Sequence, residues 1–155
     1  PGVCELVPAY TTITVHYNPA AVFSAGAPTE NLAGWLGARI EEVLASAGPT
    51  KPVRGRTVVV PVCYDAEFAP DLARVAAQAK LPPEEVVQRH VQADYWVALV
   101  GFAPGFPYLA GLPAELATPR HARPRTSVPA GSVGIAGAQT GIYPLGTPGG
   151  WNLIG

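Results

Sequence analysis

Charged side chains are scarce in this sequence. Asp, Glu, Lys and Arg make up 14% of its 155 residues, against about 25% in ordinary globular chains. They nearly cancel, leaving a net charge of −1, which argues against a general nucleic-acid binder. Cysteine is limited to Cys4 and Cys63, too few for a disulfide framework or a zinc site. Both stand in apolar stretches and are expected to be buried, reduced thiols, as fits a cytoplasm. No apolar run approaches the ~18 residues of a membrane span. The opening residues lack the charged and apolar regions of a secretory signal. Methionine is absent, and the chain stops on the apolar run Trp151-Asn-Leu-Ile-Gly. Sequence is therefore expected to be missing at both ends.

What is abundant is Gly and Pro, at 17 and 18 residues, roughly twice the usual share. With 48% hydrophobic residues beside them, the chain can bury a core and is not a disordered tract. The expected class is α+β with many tight turns. Val3–Val7 and Thr11–Tyr17 read as a hairpin joined at Pro8-Ala-Tyr, with Ile13, Val15 and Tyr17 on one face. A helix follows, with Thr29 as its cap and an apolar stripe of Leu32, Trp35, Leu36, Ile40, Val43 and Leu44, stopped by Gly48-Pro49. These elements form residues 1–55, half of a small ferredoxin-like α+β domain. Lys51–Arg56 is a basic connector.

The second domain spans residues 56–155. Thr57–Cys63 reads as a β-branched strand, Pro70–Ala79 as a helix, Pro82 to His90 as another with Glu84 and Glu85 at its positive end, and Tyr95–Phe102 as a strand. From Gly101 onward the texture changes: 11 of the 17 glycines and eight of the 18 prolines lie in residues 101–155. Short apolar runs at 127–128, 133–136, 142–143 and 153–154 sit between these turns, the pattern of a small β-barrel.

Three segments carry possible chemistry. Residues 116–155 contain no acid, yet hold Arg120, Arg123 and Arg125 on a loop stiffened by Pro119 and Pro124. The guanidinium fork suits a carboxylate or a phosphate; the alternative is a solvated loop, or ion pairs to Glu84, Glu85 or Asp94. In Gly101-Phe-Ala-Pro-Gly-Phe-Pro-Tyr-Leu, Phe106 and Tyr108 are candidates for a pocket wall; the alternative is ordinary core at a barrel corner, which is the reading for Phe102. In the Gly-rich stretch 129–144, Gln139 and Thr140 are neutral groups suited to an amide or phosphate oxygen, or else a locally satisfied turn. No phosphate-binding glycine motif is present. His90, between a helix and a strand, is either an acid–base group or a structural histidine. No histidine pair has metal-ligand spacing, and no metal site is expected.

Taken in order, Pro61-Val-Cys-Tyr-Asp, Glu84-Glu-Val-Val-x-x-His90, Gly101-Phe-x-Pro-Gly-Phe-Pro-Tyr-Leu109, Pro119-Arg120, Pro124-Arg125, Val128-Pro-Ala-Gly-Ser-Val133, Ile135-Ala-Gly-x-Gln-Thr-Gly-Ile-Tyr-Pro144 and Pro148-Gly-Gly-Trp151 resemble the subunit-1 family of allophanate hydrolase. That family includes the B subunit of bacterial 5-oxoprolinase and the KipI-type inhibitor of a histidine kinase. The match runs from about Val58 to the end and is weaker over residues 1–50. The resemblance implies a cyclophilin-like β-barrel after a small α+β domain. It implies a hydrolase component, inactive alone, that works with a homologous C-type barrel subunit and with an A-type subunit. Together these use ATP to open the small cyclic amide 5-oxo-L-proline to L-glutamate; urea carboxylation and kinase inhibition are the alternatives. On that reading Arg120 or Arg125 holds a carboxylate or phosphorylated intermediate, Gln139 and Thr140 hold the amide, Phe106 and Tyr108 wall the pocket, and His90 is an acid–base candidate.

Overall fold

The structure, a computed structural model, describes residues 2–48 and 55–155. The helix stop at Pro49 and residues 51–54 of the expected connector lie outside the described residues. The chain divides into two compact units, Pro1–Val59 and Val60–Gly155.

In the first unit, β1 (Val3–Ala9) and β2 (Thr12–Tyr17) form an antiparallel hairpin. Alternation puts Val15 and Tyr17 on the face that packs against Val22, Ala27 and Leu36. A short helix that the sequence does not announce, α1 (Pro19–Ser24), is capped by Asn18. The long helix α2 (Leu32–Ser46) starts later than Thr29 would place it. Asn31 is its cap, and its Oδ1 accepts the Gly34 N–H at 2.9 Å. Only the first half of the apolar stripe is used: Leu36 is buried and Leu32, Trp35 and Ile40 pack beside it, whereas Val43 and Leu44 are exposed.

The second unit is built on a five-stranded antiparallel sheet in the order β3 (Trp96–Val100), β4 (Pro107–Ala110), β7 (Gln139–Ile142), β6 (Val133–Ala136), β9 (Asn152–Leu153). A separate two-stranded ladder joins β5 (Arg125–Val128) to β8 (Thr147–Gly149). Among the described residues no sheet closes into a barrel.

The strand expected at Thr57–Cys63 does not form. Its β-branched residues favour extended backbone, but a strand also needs a neighbour to take its N–H and C=O groups. Here Val58, Val59 and Val60 are exposed instead. Cys63, and Cys4 on β1, are free and exposed rather than buried.

The large sheet has two differently used faces. On one lie α3 (Leu72–Ala79) and α4 (Pro83–Gln92), and Val75, Ala76 and Val86 interlock with Val133, Ile135 and Ile154. On the other, Phe106, Val128, Ala136, Tyr143, Trp151 and Leu153 form a second core. Adjacent residues, such as Ile135 and Ala136 of β6 or Leu153 of β9 and Ile154 just after it, therefore serve opposite cores.

Candidate functional site

The aromatic segment after β3 turns sharply. Phe102 takes a left-handed φ of 70° and Gly105 a φ of 80°, the second being easy only for a residue without Cβ. That turn delivers Phe106 into the second core, where it is 1% exposed. It stands edge-on to Phe102, Tyr108, Tyr143 and Trp151, with ring centroids 5.5, 4.9, 5.1 and 5.4 Å away. Phe106 thus holds up a wall without belonging to it. The wall is made by its neighbours: Phe102, Tyr108, Tyr143 and Trp151, with Pro124, Arg120 and Pro148–Gly150, line a half-open cavity of about 270 Å³. Phe102, read as core from the sequence, is an exposed rim residue. Gly149 cannot be larger, because a Cβ there would lie 2.3 Å from the Tyr143 hydroxyl.

Arg120 is the one charged residue in the lining. Its guanidinium carbon stands 5.6 Å from the centre of the Trp151 ring, a cation–π arrangement. Arg125 is placed differently. Its Nη2 donates to Asp71 Oδ1 at 2.8 Å, and its Nη1 to the Trp151 carbonyl at 3.4 Å. Of the ion-pair partners expected from the sequence, Glu85 is engaged elsewhere: it and Glu115 pair with Arg89. Asp71 stands at the N-cap of α3 but makes no capping hydrogen bond there. Its Oδ2 accepts the Leu153 N–H at 2.7 Å, and His121 Nε2 lies 3.2 Å from Oδ1. Burial disfavours the Asp71 carboxylate, but the bonds from Arg125 and Leu153, the nearby His121 and the charge of Arg125 outweigh it. The carboxyl is held below its ordinary value.

His90 and Thr140 do not reach the cavity. Both are buried on the helical face of the sheet. His90 Nδ1 is 2.8 Å from the Tyr64 hydroxyl and Nε2 is 3.1 Å from Thr140 Oγ1, which itself donates to the Gly134 carbonyl at 3.0 Å. Since the Thr140 proton is spent on Gly134, its oxygen accepts from Nε2–H, and Nδ1 accepts from Tyr64. Burial lowers the His90 pKa from 6.5 to about 4, so the ring is neutral at ordinary pH. Gln139, half-buried at the start of β7 opposite Ala136, is not in the cavity lining either.

The structure therefore brings Arg120 and Tyr108 together, holds Phe106 just behind them, ties Arg125 to Asp71, and puts His90 and Thr140 on the far side of the sheet. Tyr143 and Trp151 complete the wall. Both sit in motifs visible in the sequence, Ile-Tyr-Pro144 and Pro-Gly-Gly-Trp151, to which sequence reasoning assigns no role. Asp71 has no signal beyond its place before a helix. Among the described residues no group of three or more His, Cys, Asp or Glu could hold a metal ion, and no helix is long and apolar enough to cross a membrane.

A family model described as carboxyltransferase domain, subdomain C and D, matches residues 1–155. The chain is 47% identical over 160 residues to the B subunit of 5-oxoprolinase from Bacillus subtilis (strain 168), covering 100% of this chain and 65% of that protein. It is 46% identical over 156 residues to the B subunit of 5-oxoprolinase from Escherichia coli O157:H7, covering 100% of this chain and 66% of that one. Among solved structures, TTHA0988 superposes with a TM-score of 0.74 at 39% identity, over 100% of this chain and 28% of that one. The conserved uncharacterized protein PH0987 from Pyrococcus horikoshii superposes with a TM-score of 0.62 at 40% identity, over 99% of this chain and 66% of that one. The chain thus spans just under two thirds of the length of these curated relatives.

Proposed function

The chain belongs to the family of carboxyltransferase domains, subdomains C and D, and from that premise we propose that it is part of the B-type subunit of an ATP-dependent 5-oxoprolinase. The observation that carries this reading is its 46–51% identity to three proteins named as the B subunit of 5-oxoprolinase. In the reaction, one water adds across the lactam C–N bond of 5-oxo-L-proline to give L-glutamate, and a second is consumed as ATP goes to ADP and phosphate. The cavity between Arg120, Tyr108 and Trp151 takes the small lactam. Nucleotide binding is not assigned to these residues, because the sequence holds no glycine-rich phosphate motif. On this reading ATP is handled elsewhere in a complex with a C-type and an A-type protein, and the B-type component is inactive alone.

Family membership supports the further proposal that the five-stranded sheet, open among the described residues, belongs to a cyclophilin-like barrel. A cytoplasmic location is part of the same reading, supported by the exposed free thiols of Cys4 and Cys63.

The test is a coupled assay in which the full-length protein is mixed with its operon partners and glutamate release from 5-oxoproline is followed with and without ATP. Release that needs ATP and every component of the complex is the expected result. No release from an assembled complex overturns the reading and moves the search to urea carboxylation or to docking on a histidine kinase.

A further inference from the structure

The arginines of the loop do not share one fate. Arg125 is taken up by Asp71 and the Trp151 carbonyl. Arg123 is exposed and does not line the cavity. Arg74, approaching from α3, spends its guanidinium on the Pro119 carbonyl at 3.3 Å and on the Asn152 side chain. Among the described residues Arg120 pairs with no carboxylate, and no Asp or Glu lines the cavity. The lining is thus one cation without a carboxylate beside four aromatic rings, Phe102, Tyr108, Tyr143 and Trp151. Such a set has a defined complement. A guanidinium fork binds a carboxylate, and the accessible rings, exposed Phe102 and half-buried Tyr108, take up a small flat group in front of the buried Tyr143 and Trp151.

We propose that the cavity is a reader of small planar monocarboxylates. Arg120 takes the carboxylate, the rings take the flat face, and Asp71 acts as a positioning residue that ties the arginine loop to the segment carrying Trp151. Asp71 suits that role because it grips both segments from which the site is made. Its carboxylate holds Arg125 and borders His121 on the arginine loop, and it holds the Leu153 N–H just past Trp151. The loop and strand are also tied directly, His121 N–H donating to the Gly150 carbonyl at 2.8 Å. Trp151 lies between Gly150 and Leu153, and Arg120 directly precedes His121. The proposal deepens the oxoprolinase reading and rests on it only for the choice of 5-oxoproline as a ligand.

Ligand-observed NMR titration of the full-length protein tests it, with 5-oxo-L-proline, 2-furoate and 2-pyrrolidinone as probes. Both carboxylates should bind at least about tenfold more tightly than the uncharged lactam, as expected for a charge-assisted pair. Arg120→Gln, a change at an exposed side chain, should abolish most of that gap, and Arg120→Lys should restore part of it. Asp71→Asn should weaken carboxylate binding severalfold while pyrrolidinone binding stays the same; a merely structural loss would lower both. Equal binding of lactam and carboxylates, no binding of either carboxylate, or an undiminished gap in Arg120→Gln overturns the carboxylate site. Parallel losses for all three probes in Asp71→Asn overturn the positioning role. If both carboxylates bind as described but the assembled complex releases no glutamate, the oxoprolinase reading falls and this site stands.

Discussion

Replacing His90 with glutamine should remove most of the acid sensitivity of the Val60–Gly155 unit between about pH 7 and about pH 5. The imidazole is 5% exposed, and its two nitrogens face the Tyr64 and Thr140 hydroxyls. Burial lowers its pKa from 6.5 to about 4. In the unfolded chain it titrates near its ordinary value, so between these limits the unfolded state binds a proton that the native state refuses. Stability therefore rises with pH: this contribution is fully present above 6.5 and is lost as pH falls toward 4. At about 1.4 kcal/mol for each tenfold change in proton affinity, the whole window is worth about 3 kcal/mol and the part above about pH 5 about 2 kcal/mol. The neighbouring groups stay silent there. Burial raises the phenols of Tyr64 and Tyr95, and Asp71 is held below its ordinary value. Urea unfolding of both proteins across this range reads the difference. At neutral pH the glutamine variant should be less stable by about 1–3 kcal/mol, for the lost hydrogen bonds. Its stability should then fall much less on acidification. Parallel pH profiles for the two proteins, or a flat profile for the parent, would refute the reasoning.

Gly141→Ala should destabilise the second unit by about 1–3 kcal/mol in the same unfolding assay, as overpacking does. The new Cβ would stand 2.9 Å from Phe106 Cζ and 3.0 Å from the Pro107 carbonyl, neither of which yields cheaply. Asn31→Ala should cost the start of α2 about 1 kcal/mol, seen as faster hydrogen exchange of the Gly34 amide that Asn31 now holds.

Local pattern carries the hairpin and the long helix, because alternation at Ile13, Val15 and Tyr17 and the stripe from Leu32 to Ile40 are both short-range signals. It fails at Thr57–Cys63 because a β-branched run specifies extended backbone but cannot specify a neighbour. It fails at Cys4 and Cys63 because apolar neighbours in sequence are not apolar neighbours in space. The site is half legible for the same reason. Arg120 and Tyr108 stand in conspicuous segments and do meet. The partners that separate Arg125 from Arg120, and His90 from the cavity, come from far along the chain. Asp71 reaches Leu153 across 82 residues, and His90 reaches Thr140 across 50. Nothing in the spacing of charges shows that Arg125 is the loop arginine that takes a carboxylate.

Strand β7 places two very different demands on consecutive residues. Thr140 must meet a histidine on one side of the sheet, and Gly141 must leave room for Phe106 on the other. A slip of the strand by one position would present a hydroxyl to the aromatic core and a bare backbone to His90, losing a partner and filling a forbidden space together. Gln-Thr-Gly thus works as an alignment key, checked from both faces at once. The register that gives the histidine its threonine is the same one that leaves room for the aromatic core on the opposite face.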